Sequence, residues 1–213
     1  MNWRDFKFKI PLFKFTFSTG KPGYKVNIPI VDAFNAYKKG KPMVDQLRDL
    51  FIEKCLKLEG QTETDGKNRS PFIDADNKRA GVAMGSPYCL TSSLCRFDEA
   101  CSELGLKNVV GIHASTQNWY RKVPKQFILK HGKKGCIAIF QSKGDKSRGH
   151  AAPVRENMMA GSAYFRTIEF NTDGTGSRDG DGVWKKTRSV DGSHSMRFLG
   201  FVDVCAWVEE SNK

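Results

Sequence analysis

The sequence of 213 residues has no apolar run long enough to cross a membrane, and its N-terminus lacks the apolar segment of a secretory signal. We therefore expect a product made in the cytoplasm without a signal peptide. None of the six cysteines and four histidines has the spacing of a zinc site. Six cysteines are also too few for a disulfide scaffold of this length. The sequence thus predicts free thiols and neither a metal nor a cofactor.

Acidic residues are in the minority, with 23 Asp and Glu against 35 Lys and Arg, and the formal net charge is +12. Such a chain is attracted to anionic polymers such as nucleic acid, acidic lipid or cell-wall polymer. No nucleic-acid-binding motif accompanies the charge, so nucleic acid is not the expected partner. Residues 1–41 hold nine Lys or Arg and two Asp. This basic N-terminal arm either docks on anionic envelope polymers or forms a small β-hairpin packed on the main domain.

The rest of the chain predicts one domain over residues 42–208, followed by a tail over 209–213. Apolar residues recur at helical spacing from Pro42 to Gly60 and again after Cys89. From Gly135 onward the pattern changes to strands. These strands are expected near residues 136–140, 149–154, 167–171, 182–188 and 197–204. Helices followed by strands are typical of an α+β fold with a mainly antiparallel sheet, and we expect a monomer.

The stretch Gly85-Ser86-Pro87-Tyr88-Cys89 stands directly before a predicted helix that ends at Gly105. Cys89 lies about 100° from the apolar stripe of that helix, so its sulfur is expected at the rim of the core. Free N–H groups and the dipole at a helix start favour a thiolate and can hold an oxyanion. Cys89 is either a nucleophile or a small buried apolar residue.

Two later strands carry the other groups that thiol catalysis needs. His150 follows Gly149 on one predicted strand, and Thr167, Glu169 and Asn171 alternate on one face of the next. A papain-like site requires a base that reaches the sulfur and an acceptor that orients the base. The order of Cys89, His150 and Glu169 fits that requirement, although only the fold can bring them together.

Five segments in order resemble the cysteine, histidine-dependent amidohydrolase/peptidase (CHAP) family, in its compact phage and bacterial form. They are Asn68-Arg69, Ser86-Pro87-Tyr88-Cys89, Gly149-His150, Thr167-Ile168-Glu169-Phe170-Asn171-Thr172 and Gly176-Ser177-Arg178-Asp179-Gly180-Asp181-Gly182-Val183. The resemblance covers roughly residues 44–204. It implies a papain-like fold in which helices pack on the sheet.

The family acts as amidase or peptidase on peptidoglycan, and the resemblance implies that activity for this chain. Cys89 would be the nucleophile, His150 the base and then acid, Glu169 the residue that orients His150, and Asn171 an auxiliary polar group. The protein would act on the cell wall after release or delivery, as a phage lysis or virion enzyme or a bacterial relative. The bond that is cleaved stays open between the muramoyl-L-alanine amide and a peptide bond of the stem or cross-bridge.

The chain departs from the family at Tyr88, where Trp is usual, and at Phe170, where Gly is usual. The resemblance makes Asn68, Tyr88 and Phe170 candidates for substrate binding, while Trp119 either lines the cleft or packs in the core. The backbone N–H of Cys89 is expected to be one oxyanion donor. Ala83 and Met84 offer no second donor, which leaves Tyr88 and Asn68.

Several other residues give weaker indications of a functional site. His113, His131 and His194 are expected on the surface or in loops. Asp173, Asp179 and Asp181 lie among glycines, but they lack the ligand spacing of an EF-hand, so a mobile turn is preferred to a calcium site. Two competing functions remain. One is an interbacterial toxin with the same chemistry, and the other is a non-catalytic envelope-binding protein that keeps the fold.

Overall fold

The structure is a computed structural model that describes residues 40–64, 66–173 and 180–213. The chain divides into two units, Met1–Pro42 and Met43–Lys213. Nearly all of the predicted basic arm, residues 1–39, and the central part of the Asp-rich loop, residues 174–179, lie outside the described residues. No helix within the described ranges combines the length and apolar character that crossing a membrane requires.

Within the described ranges, four α-helices precede the main strands of the second unit and a fifth follows them. Their bounds are α1 Met43–Leu56, α2 Pro71–Arg79, α3 Cys89–Glu103, α4 Thr116–Tyr120 and α5 Val204–Ser211. The prediction that Cys89 opens a helix is confirmed. The first helix ends at Leu56, earlier than the predicted Gly60. The short α4 and the terminal α5 were not predicted, and α5 continues beyond the predicted domain end at residue 208.

Two antiparallel sheets follow. The strands are β1 Ile128–Leu129, β2 Ile137–Ser142, β3 Gly149–Pro153, β4 Tyr164–Thr172, β5 Gly182–Ser189 and β6 Met196–Val202. One sheet has the order β1-β6-β2-β3, and the other is the β4-β5 pair. A single bridge between Val154 and Thr167 connects β3 to β4. The α+β class and the antiparallel pairing are confirmed, but the strands form two sheets.

Both faces of the four-stranded sheet are covered, because successive side chains of a strand point to opposite sides. Ile137 and Ile139 of β2 belong to the larger apolar cluster with Leu90 and Leu94 of α3. Ala138 and Phe140, between them in sequence, belong to a smaller aromatic cluster. This arrangement holds the start of α3 against β3 and β4, where the site lies.

A buried ion pair ties α1 to the end of the sheet. Nη2 of Arg48 donates to both carboxylate oxygens of Asp203 at 2.8 and 2.7 Å, and Nη1 donates to the carbonyl of Lys134. Asp203 also caps α5 by accepting from the N–H of Ala206. One arginine thus joins three separate parts of the chain.

We expect Arg48→Met to lower the free energy of unfolding by about 3–5 kcal/mol, because it leaves the buried Asp203 carboxylate without its cation. Lys57→Met is the control, since Lys57 pairs with Glu53 on the exposed side of α1 and should cost less than about 1 kcal/mol. Urea denaturation measures both. Equal, small losses would show that the Arg48 pair does not hold α1 to the sheet.

Candidate active site

Cys89 is the first residue of α3, and a polar cluster fixes the chain that leads to it. Nδ2 of Asn68 donates to the carbonyl of Gly85 at 3.1 Å, and the backbone N–H of Asn68 donates to Glu63 at 2.7 Å. The other Glu63 oxygen accepts from the hydroxyl of Tyr88 at 3.4 Å. The segment before Cys89 is therefore anchored on both sides of Pro87.

Thr116 lies on the other side of the thiol, with its Oγ1 3.9 Å from Sγ of Cys89. Its neighbour Gln117 fixes that position, because Nε2 of Gln117 donates to the carbonyl of Phe140 at 2.9 Å. Gly149 makes this contact possible. A Cβ at residue 149 would stand 2.1 Å from Nε2 of Gln117 and 2.6 Å from the Phe140 carbonyl oxygen. The glycine before His150 thus leaves room for the side chain that holds Thr116 at the thiol.

His150 lies on β3 between the thiol and a carboxylate. Its Nε2 bonds Oε2 of Glu169 at 2.9 Å. The imidazole and the backbone N–H of Ala151 lie close enough to the thiol of Cys89 to lower its pKa. The structure therefore brings together the nucleophile, base and orienting carboxylate that the sequence predicts.

Glu169 has no solvent-exposed surface, so its charge depends on bound donors. Oε1 accepts from Nε of Arg188 at 2.8 Å and from the hydroxyl of Thr167, and Nη2 of Arg188 donates to Oε2. The Arg188 guanidinium also stands over the ring of Phe140, 5.9 Å from its centroid. The carboxylate is held by four donors that come from three strands.

These contacts set the protonation of the site. Burial alone would raise the pKa of the Cys89 thiol, but the hydrogen bond and charge of His150 outweigh it, so the pKa is lowered. Burial would lower the pKa of His150, but the bonds to Cys89 and Glu169 raise it to about 9. Burial likewise opposes ionisation of Glu169, yet Arg188 and His150 hold its pKa far below the usual range. The pKa shifts of Cys89 and His150 both act in favour of the thiolate and the imidazolium.

Asn171 does not continue the alternation of β4. The pairing with β5 shifts register between Phe170 and Thr172, and Asn171 has a φ of 54°. Its amide donates to Oδ1 of Asn68 at 3.0 Å. The prediction that Asn171 shares the face of Glu169 is therefore wrong. Its contact with Asn68 places it in the cluster before Cys89.

The aromatic candidates for substrate binding are buried. Tyr88 and Phe170 expose none of their surface, and Trp119 is in the larger core cluster with Phe170. Tyr88 packs edge-on against Phe72. These three side chains have no free face for a substrate. The hydroxyl of Tyr88 bonds Glu63, and the amide of Asn68 bonds the carbonyl of Gly85.

The other histidines and the described Asp residues of the predicted turn do not belong to the group formed by Cys89, His150 and Glu169. Nε2 of His113 bonds the carbonyl of Val110, Nε2 of His131 bonds that of Met158, and His194 is exposed in a loop. Within the described ranges no three His, Cys, Asp or Glu residues converge in a way that suits a metal ion. Asp173 lies 3.9 Å from Lys186, and Asp181 accepts from Trp184. Asp179 of the predicted turn lies outside the described residues.

Two contributors were missed from sequence. Arg188 lies on β5 with Trp184 and Lys186 at alternate, half-buried positions. Cations at inward positions of a strand are a signal that a carboxylate lies opposite, and this signal was available. No such signal was present in the sequence for Thr116. Its position beside Cys89 depends on the hydrogen bond that the neighbouring Gln117 makes with the Phe140 carbonyl.

Comparisons of this chain with protein-family models, with curated proteins and with solved structures found no match. The arrangement of side chains is therefore the basis for assigning a chemistry to the site.

We expect iodoacetamide to modify Cys89 before the other cysteines at neutral pH. All six are buried, so the protonation state rather than exposure should decide the rate. Burial raises the pKa of the other five, which are Cys55, Cys95, Cys101, Cys136 and Cys205. Peptide mapping after partial labelling measures the order.

His150→Ala removes the imidazolium and should slow modification of Cys89 at least tenfold at pH 7, where the five other thiols serve as internal references. Equal labelling of Cys89 and Cys95 in the unaltered protein would argue against an ion pair at this site.

Proposed function

We propose that the protein is a papain-like cysteine hydrolase that cleaves amide bonds of peptidoglycan. The single observation that carries the proposal is the contact series from Cys89 through His150 to the buried Glu169. A helix-borne thiolate, an imidazolium and a carboxylate that orients it are the parts of an acyl-transfer site. The ordered resemblance to the CHAP family favours peptidoglycan over other amides, and the net charge of +12 suits an anionic cell wall.

The chemistry follows in two steps. The Cys89 thiolate attacks the amide carbonyl carbon, and His150 gives its proton to the departing amine as the C–N bond breaks. Water then attacks the thioester while His150 takes a proton from it, and the C–S bond breaks to release the carboxylic acid and restore the Cys89 thiolate beside a protonated His150. Glu169 holds Nε2 of the ring, so the other ring nitrogen faces the sulfur.

Two donors are placed to hold the oxyanion. The N–H of Cys89 is in the first turn of α3, where helical N–H groups have no partner within the helix. The hydroxyl of Thr116 stands 3.9 Å from the sulfur, within reach of an oxygen on a carbonyl carbon that the sulfur attacks. The Thr116 hydroxyl is the second donor in our mechanism, in place of Tyr88 or Asn68.

The two alternative functions, a toxin and a non-catalytic envelope-binding protein, differ in whether they need the site. A toxin delivered to a competing bacterium would use the identical site and differ only in its route. A non-catalytic envelope-binding protein would have no use for a thiol with a lowered pKa, and the buried Glu169 with its four donors would have no function in it. The charge network at Glu169 therefore favours hydrolysis.

Purified sacculi provide the direct test. The protein should release soluble fragments whose masses identify the cleaved bond, and Cys89→Ala should release none. Cys95→Ala is the matched control, because Cys95 is a buried thiol of the same helix outside the site. Glu169→Gln should lower kcat by a factor on the order of 10² to 10⁴, because it removes the charge that stabilises the imidazolium. Digestion by Cys89→Ala would reject the proposed function.

The oxyanion assignment has its own test. Thr116→Val keeps the shape of the side chain without the hydroxyl and should lower kcat by a factor of about 10² on a soluble fragment of peptidoglycan, while KM stays nearly constant. Thr116→Ser restores the hydroxyl and should recover most of the rate. Full activity of the valine variant would show that Thr116 is not a donor.

A further inference from the structure

Arg188 contacts both oxygens of Glu169, and its Nη2 shares Oε2 with His150. The planar fork of the guanidinium bonds both carboxylate oxygens, and its 2.8 Å Nε contact lies at the oxygen that also accepts from Thr167. One third of the Arg188 side chain is exposed, while Glu169 is fully enclosed. Stacking on Phe140 fixes the direction of approach. Nothing in the two-step chemistry above requires a cation at this position.

The four groups form a chain of alternating charge when the thiol is ionised. Cys89 is negative, His150 positive, Glu169 negative and Arg188 positive, so the set as a whole is neutral. Each charge is next to one of opposite sign, which is the arrangement that limits the cost of burying ions.

Other groups around the chain are balanced or uncharged. Thr116 and the Ala151 N–H face the sulfur, and Thr167 faces Glu169. Beyond Arg188, the carboxylate of Asp173 lies 3.9 Å from the ammonium of Lys186. The charge that meets Glu169 from β5 is therefore that of Arg188.

We propose that Arg188 is a positioning residue that keeps Cys89 in its thiolate form by acting through Glu169. The inference rests on the proposed thiol chemistry of Cys89. If the positive charge at residue 188 is lost, the ionised site has two negative charges and one positive. Uptake of one proton by the sulfur then restores neutrality. Arg188 thus favours the reactive state from a distance, without contact with the substrate.

The test is the pH dependence of Cys89 modification, read by peptide mapping of the full chain with iodoacetamide. Arg188→Met should move the midpoint of the rate upward by about one pH unit. Arg188→Lys keeps the charge and should stay close to the unaltered protein. Lys185→Met is the control, because Lys185 is an exposed residue of the same strand that pairs with Glu59. It should leave the midpoint unchanged.

A double variant tests whether the effect passes through Glu169. In a Glu169→Gln background, Arg188→Met should produce no further upward shift, since the carboxylate that relays the charge is gone. If circular dichroism shows that Arg188→Met does not fold, Arg188→Gln replaces it with the same expected shift. An unchanged midpoint in the uncharged variants, or a shift of equal size in the Glu169→Gln background, would overturn the inference.

The same measurement separates this inference from the proposed function. If Cys89 of the unaltered protein reacts with the midpoint of a free thiol, near pH 8.5, the hydrolase proposal itself fails. If that midpoint is low and Arg188→Met leaves it low, only the role of Arg188 fails.

Discussion

The carboxylate of Glu169 is a charged group that has no contact with solvent. The strands around it provide the hydrogen-bond donors that stabilise its negative charge. An isolated buried carboxylate would take up a proton, and a neutral acid would not stabilise the imidazolium of His150. Arg188 must therefore reach it from β5 and His150 from β3. The antiparallel register of β4 and β5 places Arg188 opposite Phe165, on the face that also carries Glu169, and the bridge between Val154 and Thr167 brings β3 to β4.

The charges around the site also explain why we expect one buried thiol among six to be the reactive one. Cys89 exposes 7% of its surface, and Cys95 and Cys101 on the same helix expose none. So small a difference in exposure does not by itself favour the thiolate. The difference comes from His150, because burial raises the pKa of Cys95 and Cys101, which have no imidazole beside them, to about 12. Selectivity is thus an electrostatic property of neighbours that are distant in sequence.

Local patterns predicted the parts of the site that local structure determines. The start of the helix at Cys89 follows from its apolar spacing, and the strands of His150 and Glu169 follow from short apolar runs. The bulge at Asn171 broke an alternation that the sequence gives no reason to doubt. Trp119 and Phe170 are as apolar as cleft residues, so composition did not distinguish a cleft wall from the core. The alternation of β5 could have indicated that Arg188 faces inward, but neither its partner Glu169 nor the approach of Thr116 to Cys89 is encoded by periodicity, because both depend on contacts across the fold.

The alternating charges also bear on the direction of the proposed reaction. In the ionised site the imidazolium of His150 is stabilised on one side by the thiolate and on the other by Glu169. When the sulfur bonds to the acyl carbon, its charge moves to the oxyanion and then to the departing nitrogen. His150 then lies between a neutral thioester and a carboxylate already neutralised by Arg188. Its proton is held less firmly at the moment when the amine needs it, so the charge balance that stabilises the thiolate also promotes release of the leaving group.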